Sequence, residues 1–195
     1  MLLAGANGSG KTTLLRLIAG LLRPSAGELR VHGLDPAAEP FATRRRVSVV
    51  GHQPYLYGDL DARETLGLWN RLLEEPWPER AVSELLEAVA LADSAGREVR
   101  TFSAGMRKRL SLARVRLERP QLLLLDEPFA ALDRAGQDLV DRWIAEFRRD
   151  GGAVVMASHD LGRAAGGGAR AILLERGQAV WSGEATALPA RLSVS

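Results

Sequence analysis

Residues 5 to 12 read Gly5-Ala6-Asn7-Gly8-Ser9-Gly10-Lys11-Thr12, which fits the spacing G-x-x-x-x-G-K-[ST]. Glycines at 5, 8 and 10 permit backbone angles that a Cβ would forbid, so successive N–H groups can turn into one concavity suited to phosphate oxygens. In that pattern Lys11 reaches the β- and γ-phosphates, and the Thr12 hydroxyl ligates Mg²⁺. The flanks agree. Leu2-Leu3-Ala4 suits a short buried strand, and Thr13-Leu14-Leu15-Arg16-Leu17-Ile18-Ala19 has helical spacing, which sets the phosphates at a helix N-terminus. The nucleotide-binding stretch is expected to run from Gly5 to Thr13. A nucleoside triphosphate is the expected ligand.

The 195 residues are enough for one α/β domain with an inserted subdomain and a real core. Lys plus Arg number 26 against 24 Asp plus Glu. That near-balance does not mark a nucleic-acid binder, and Arg44-Arg45-Arg46 reads as a solvated face. The absence of cysteine excludes disulfides, thiolate catalysis and zinc-thiolate sites. No uninterrupted apolar run approaches the roughly 18 residues of a membrane helix. Any membrane role is therefore expected to come through a partner.

Along the chain, a helix is predicted from Lys11 to Leu22, stopped by Arg23-Pro24. Alternation predicts an exposed strand over Gly27-Glu28-Leu29-Arg30-Val31-His32-Gly33 and a more buried one over Val47 to Gln53. Residues 54–118 turn helical, with helices over Arg63–Leu73, Glu79–Ala90 and Ala104–Leu117. Gln121-Leu122-Leu123-Leu124-Leu125 has the unbroken apolar character of a parallel strand. A helix over Arg134–Arg149, a strand over Ala153–Ser158 and a hairpin turning at Arg176-Gly177-Gln178 follow. Strands alternating with helices imply a parallel core with 54–118 as a helical insertion.

The four-leucine strand runs directly into Asp126-Glu127-Pro128. At the switch point of an α/β sheet such a pair faces the same crevice as the phosphate loop. Asp126 would hold Mg²⁺, and Glu127 would orient the attacking water in line with the leaving oxygen. His159, ending another core strand, could contact the γ-phosphate, and Gln53 can offer its side-chain oxygen to the metal or its water.

With these groups in place, the chain resembles the nucleotide-binding domain of an ATP-binding cassette (ABC) protein over nearly its whole length. The decisive segment is Thr101-Phe102-Ser103-Ala104-Gly105-Met106-Arg107-Lys108-Arg109, similar to the family's Leu-Ser-Gly-Gly-Gln signature and its basic helix. Ser103 and Gly105 match, whereas Phe102, Ala104 and Met106 depart from the commonest form. The resemblance implies an α/β P-loop NTPase with a mostly parallel core sheet, an inserted helical subdomain and an incomplete antiparallel β subdomain, all within one domain spanning 1–195. It also implies ATP and Mg²⁺ as cofactors, with Gln53 at the Q-loop, His159 at the switch position and Asp133 in the D-loop. Two such domains would close head to tail, so that Ser103, Ala104, Gly105, Met106 and Asp133 act on a nucleotide held by the partner. Ser103 also reads as an N-cap.

Within the family, Val50-Gly51-His52-Gln53-Pro54-Tyr55-Leu56-Tyr57 and Glu127-Pro128-Phe129-Ala130-Ala131-Leu132-Asp133 resemble exporter subunits. The haem-exporting branch that serves cytochrome c maturation shares the Gly-His-Gln-Pro and Ser-Ala-Gly strings. Exporters of lipids, drugs or polysaccharides share most of them too. The expected activity is ATP hydrolysis coupled to transport, by a homodimer bound to membrane subunits on the cytoplasmic face of the cell membrane. The surface around Tyr55, Leu56 and Tyr57 suits either docking or ordinary packing. A soluble cassette acting on nucleic acid or ribosomes would have paired cassettes or long coiled-coil insertions, and this chain has neither.

Two departures stand out. Family domains normally carry more residues before the phosphate loop, including an aromatic that stacks on adenine, worth about 1–3 kcal/mol. The start at Met1 therefore reads as a truncation or a misassigned start, and a shortened, non-hydrolysing cassette is the alternative reading. Gly166-Gly167-Gly168 reads as a loop where the family usually has a helix.

Overall fold

The computed structural model describes residues 1–51, 56–158 and 169–188. These fall into two compact units, one of residues 1–49, 122–128 and 153–195, the other of 50–121 and 129–152.

The first unit is built on strands β1 (Leu2–Ala4), β2 (Val47–Val50), β3 (Leu122–Asp126), β4 (Ala153–Ala157), β5 (Arg170–Glu175) and β6 (Gln178–Glu184). They form one sheet in the order β2-β3-β4-β1-β5-β6. β1 pairs in parallel with β4 (Leu3↔Ala157) and with β5 (Leu3↔Ile172). β3 runs parallel to β4 from Leu122↔Ala153 to Asp126↔Ala157. β5 and β6 form the expected antiparallel hairpin. Strand periodicity divides the core into two faces. Leu3, Leu15, Val47 and Leu124 pack on one side, and Leu2, Ala4, Leu173 and Leu188 form a second cluster. Each fully buried leucine contributes about 2 kcal/mol of burial.

Helix α1 (Lys11–Ile18) is shorter than expected. Gly20, at φ 66°, ends it: Gly20 N–H donates to Leu17 O at 3.0 Å and Leu21 N–H to Arg16 O at 2.9 Å, the paired bonds of a Schellman stop. The strand expected over 27–33 does not form. Val31 and Leu34 instead bond each other across a tight turn, at 2.8 and 3.0 Å. Alternation makes a strand only beside a neighbour, and among the described residues none lies there. A short helix, α2 (Pro40–Arg44), which the sequence reading did not anticipate, starts with proline in its first turn. Arg44, Arg45 and Arg46 are exposed, as expected of a solvated face.

The second unit holds α3 (Ala62–Arg71), α4 (Glu79–Ala88), α5 (Ala104–Glu118) and α6 (Arg134–Arg149). Asp61 and Glu64 form a reciprocal capping box at the start of α3. Leu66, Leu85, Leu86, Val99, Phe102, Leu110 and Leu117 make its core. Arg114, almost fully buried, is kept there by Glu118 at 2.9 Å and by the Trp69 ring at 4.8 Å. Among the described residues, no helix is long and apolar enough to cross a membrane.

Candidate nucleotide-binding site

β1 ends at Ala4 and the chain turns at once into the loop. Gly5 stands at φ 143°, and a Cβ there would lie 2.3 Å from Leu174 O and 2.6 Å from Ser9 Oγ. No side chain fits that position, so β5 sets the path of the loop as it leaves the sheet. The loop closes through Ser9 N–H to Ala6 O at 3.1 Å. α1 then begins with Gly10 as its N-cap, without a side-chain cap and without an acid in the first turn. Leu14 N–H is the first to close a helical bond, to Gly10 O at 2.9 Å. The opening amides of α1 therefore have no intrahelical acceptor and carry the positive end of the helix dipole. Ser9 Oγ is buried and finds no hydrogen-bond partner among the described residues. An anion in the cradle would satisfy such groups.

Lys11 is buried, and its Nζ donates to Gly5 O at 2.7 Å and Ala6 O at 2.9 Å. The ammonium is thus held inside the loop, over the concavity formed by 5–10. Thr12 Oγ1 donates to Asp126 Oδ2 at 2.8 Å, across 114 positions of sequence. This bond joins the start of α1 to the end of β3. Two oxygens bound to Mg²⁺ at about 2.0–2.1 Å on adjacent octahedral positions stand about 2.9 Å apart, so this oxygen pair fits that ion. Among the described residues no group of three or more His, Cys, Asp or Glu side chains could hold a metal.

Glu127 follows in the left-handed region at φ 49°, with its N–H donating to Ala157 O at 2.9 Å. Sheet pairing thus continues past the strand end and fixes the glutamate's backbone beside Asp126. Left-handed backbone in a non-glycine residue costs about 1–2 kcal/mol and collects at functional sites. Ala131 is a second instance, at φ 62°.

In the second unit Ser103 caps α5, its Oγ accepting from Met106 N–H at 3.2 Å. Arg107 Nη1 donates to Phe102 O and ties the basic helix back to the turn before it. Asp133 caps α6 by accepting from Gly136 N–H at 2.8 Å. Ser103, Ala104 and Asp133 are exposed, while Gly105 and Met106 are half-buried. Leu56 packs against the helical core and Tyr57 is exposed. Gln53, Tyr55, His159 and Gly166-Gly167-Gly168 lie outside the described residues.

The sequence reading missed Gly177. Its N–H donates to Ser9 O at 2.9 Å, so the β5–β6 turn braces the phosphate loop from outside. The turn itself was legible at Arg176-Gly177, but not its contact with a loop so distant in sequence.

The family profile described as ABC transporter matches residues 1–130. The chain belongs to the ABC transporter family. It is similar to the cytochrome c biogenesis ATP-binding export protein CcmA of Pseudomonas syringae pv. syringae, 39% identical over 159 residues that cover 80% of this chain and 74% of the relative. The Rhodospirillum rubrum CcmA is 43% identical over 159 residues, covering 82% and 67%. The daunorubicin resistance ATP-binding protein DrrA3 of Streptomyces coeruleorubidus is 36% identical over 188 residues, covering 95% and 60%. Among solved structures, an ATP-binding subunit of an ABC transporter has a TM-score of 0.85 at 26% identity, over 99% of this chain and 81% of that one. A dimeric post-hydrolysis state of an ATP-binding cassette bound to ADP and Pi also has a TM-score of 0.85 at 26% identity, over 94% and 84%. As an ABC cassette, then, the chain has a P-loop NTPase fold and an ATP-binding site.

Proposed function

We propose that this chain hydrolyses ATP to drive a membrane exporter, and that the exporter carries haem for cytochrome c biogenesis. The observation that carries the ATPase reading is the 2.8 Å contact between Thr12 Oγ1 and Asp126 Oδ2, at the mouth of an amide-lined loop. The amides of Gly8 to Thr13 and the Lys11 ammonium would bind the phosphates. Thr12 and Asp126 would hold Mg²⁺, with Gln53 as a further oxygen donor, and the ion would neutralise phosphate charge as the bond breaks. Glu127, on its fixed backbone, would orient the attacking water, and His159 would contact the γ-phosphate.

A second copy of the chain would complete the site. The exposed Ser103 cap, with the N-terminus of α5 behind it, would close over a nucleotide held by a second copy, joined by Ala104, Gly105, Met106 and Asp133. The dimeric state of the related ADP-bound cassette supports this arrangement. Membrane subunits would hold the pair at the cytoplasmic face of the membrane.

Identities of 39–43% to CcmA proteins support haem as cargo. DrrA3, matched along 95% of this chain, favours drug export as the second reading. Expression of the full chain in a Pseudomonas strain lacking CcmA separates the two. Restored haem staining of c-type cytochromes is the expected result. No restoration, together with daunorubicin resistance when the chain is expressed with its neighbouring membrane subunits, would replace haem by drug.

A further inference from the structure

Gly105 occupies the first turn of α5 with ordinary helical backbone, so torsion does not explain why a glycine stands there. Space does. A Cβ on residue 105 would lie 2.9 Å from the carbonyl oxygen of Ala131 and 3.6 Å from Leu132 Cδ2. The first of these is a backbone atom, which cannot swing aside as a side-chain tip can. Ala131 itself stands in the left-handed region at φ 62°, a conformation an alanine keeps only where its surroundings impose it. On the other side of the same segment, a Cβ on Gly136 would lie 2.9 Å from Asp133 Oδ1 and 3.1 Å from Leu132 Cδ2. Residues 131–133 are therefore held between two glycine notches, one in the first turn of α5 and one in the first turn of α6. The Asp133 carboxylate is fixed by its bond from Gly136 N–H at 2.8 Å, and Asp133 O accepts from Gln137 N–H at 2.9 Å.

We propose that Gly105 and Ala131 are positioning residues: the bare first turn of α5 seats the Ala131 carbonyl and thereby sets the exposed Asp133 carboxylate. This rests on the proposed function insofar as Asp133 then acts across a dimer. Within one chain, it makes the Ser103 turn and the Asp133 loop a single block, so the two are presented to a partner together. Gly105 thus has a task inside its own subunit, distinct from any approach to a nucleotide.

The test uses the full chain and two readouts. Hydrogen exchange at Gly136 and Gln137 reports the Asp133 cap directly and needs no nucleotide. Gly105→Ala is expected to speed exchange at these two amides about tenfold while leaving the α3 amides unchanged, and Ala131→Gly added to it should restore protection by letting the carbonyl withdraw. Leu132→Ala, at a half-exposed site that threatens folding less, should speed the same amides about threefold. Unchanged exchange at Gly136 and Gln137 in both Gly105→Ala and Leu132→Ala overturns the proposal.

Steady-state phosphate release is the second readout. Release is expected to fall in Gly105→Ala and to recover in the double variant. Recovery of exchange without recovery of release would place the loss in the dimer interface and overturn the positioning role. Absence of turnover in the parent chain with its membrane partners would refute the ATPase reading alone, and exchange would still decide the notch.

Discussion

At Gly5 the backbone stands at φ 143°, where only glycine is comfortable, and the neighbouring atoms are a carbonyl of β5 and a hydroxyl of the same loop. Gly105 has helical backbone, and what excludes a Cβ is the carbonyl of a residue 26 positions away. In the phosphate loop glycine supplies torsion and room together; in the signature turn it supplies room alone. The torsional demand is local and leaves a regular spacing in the sequence; the demand for room depends on which segment the fold brings up against the glycine. The two units thus begin these helices by different routes. α1 does so with its N-cap bare of any side-chain cap, and α5 with Ser103 as its cap.

Substitutions can break or sharpen that contrast, the largest effect coming from Gly5→Ala. It violates torsion and space together and should destabilise the chain by about 4 kcal/mol or more. A shift under about 1 kcal/mol in denaturant unfolding would break the torsional account of the loop. Glu127→Gln should lower phosphate release by about 10²–10³-fold while ATP affinity holds. Equal steady-state release by variant and parent would remove Glu127 from its role. Lys11→Ala takes the only ammonium out of the loop, and calorimetry should record about a 100-fold loss of ATP affinity.

The smallest effects sharpen the comparison. Ser103→Ala should cost about 1 kcal/mol through the lost cap. Ser103→Asp keeps the cap, so stability should stay within about 0.5 kcal/mol of the parent. Its negative charge would meet any phosphate brought to that turn, and phosphate release should fall. If release tracks stability in both variants, Ser103 serves only as a cap.

Much of the first unit was legible because its signals are local. The glycine spacing gave the loop, the apolar run before Asp126 gave β3, and the Arg176-Gly177 turn gave the β5–β6 hairpin. The stop of α1 was equally legible in Gly20 and was passed over for the proline further on. The strand expected over 27–33 failed for a different reason. Alternation states which side chains could share a face but not whether a neighbour exists, and here Val31 and Leu34 bond to each other instead. α2, at five residues, is too short to show a period. The brace from Gly177 to Ser9 and the notch at Gly105 are contacts between distant segments. Neither has a spacing rule, because only the fold brings those segments together.

The position of β1 also bears on the order of assembly. It is three residues long, and both of its neighbours, β4 and β5, begin beyond position 150. β1 must therefore wait, unpaired, until synthesis has passed position 150. Ribosome-stalled lengths ending before Ala153 would carry the complete glycine motif and yet lack both strands that flank β1.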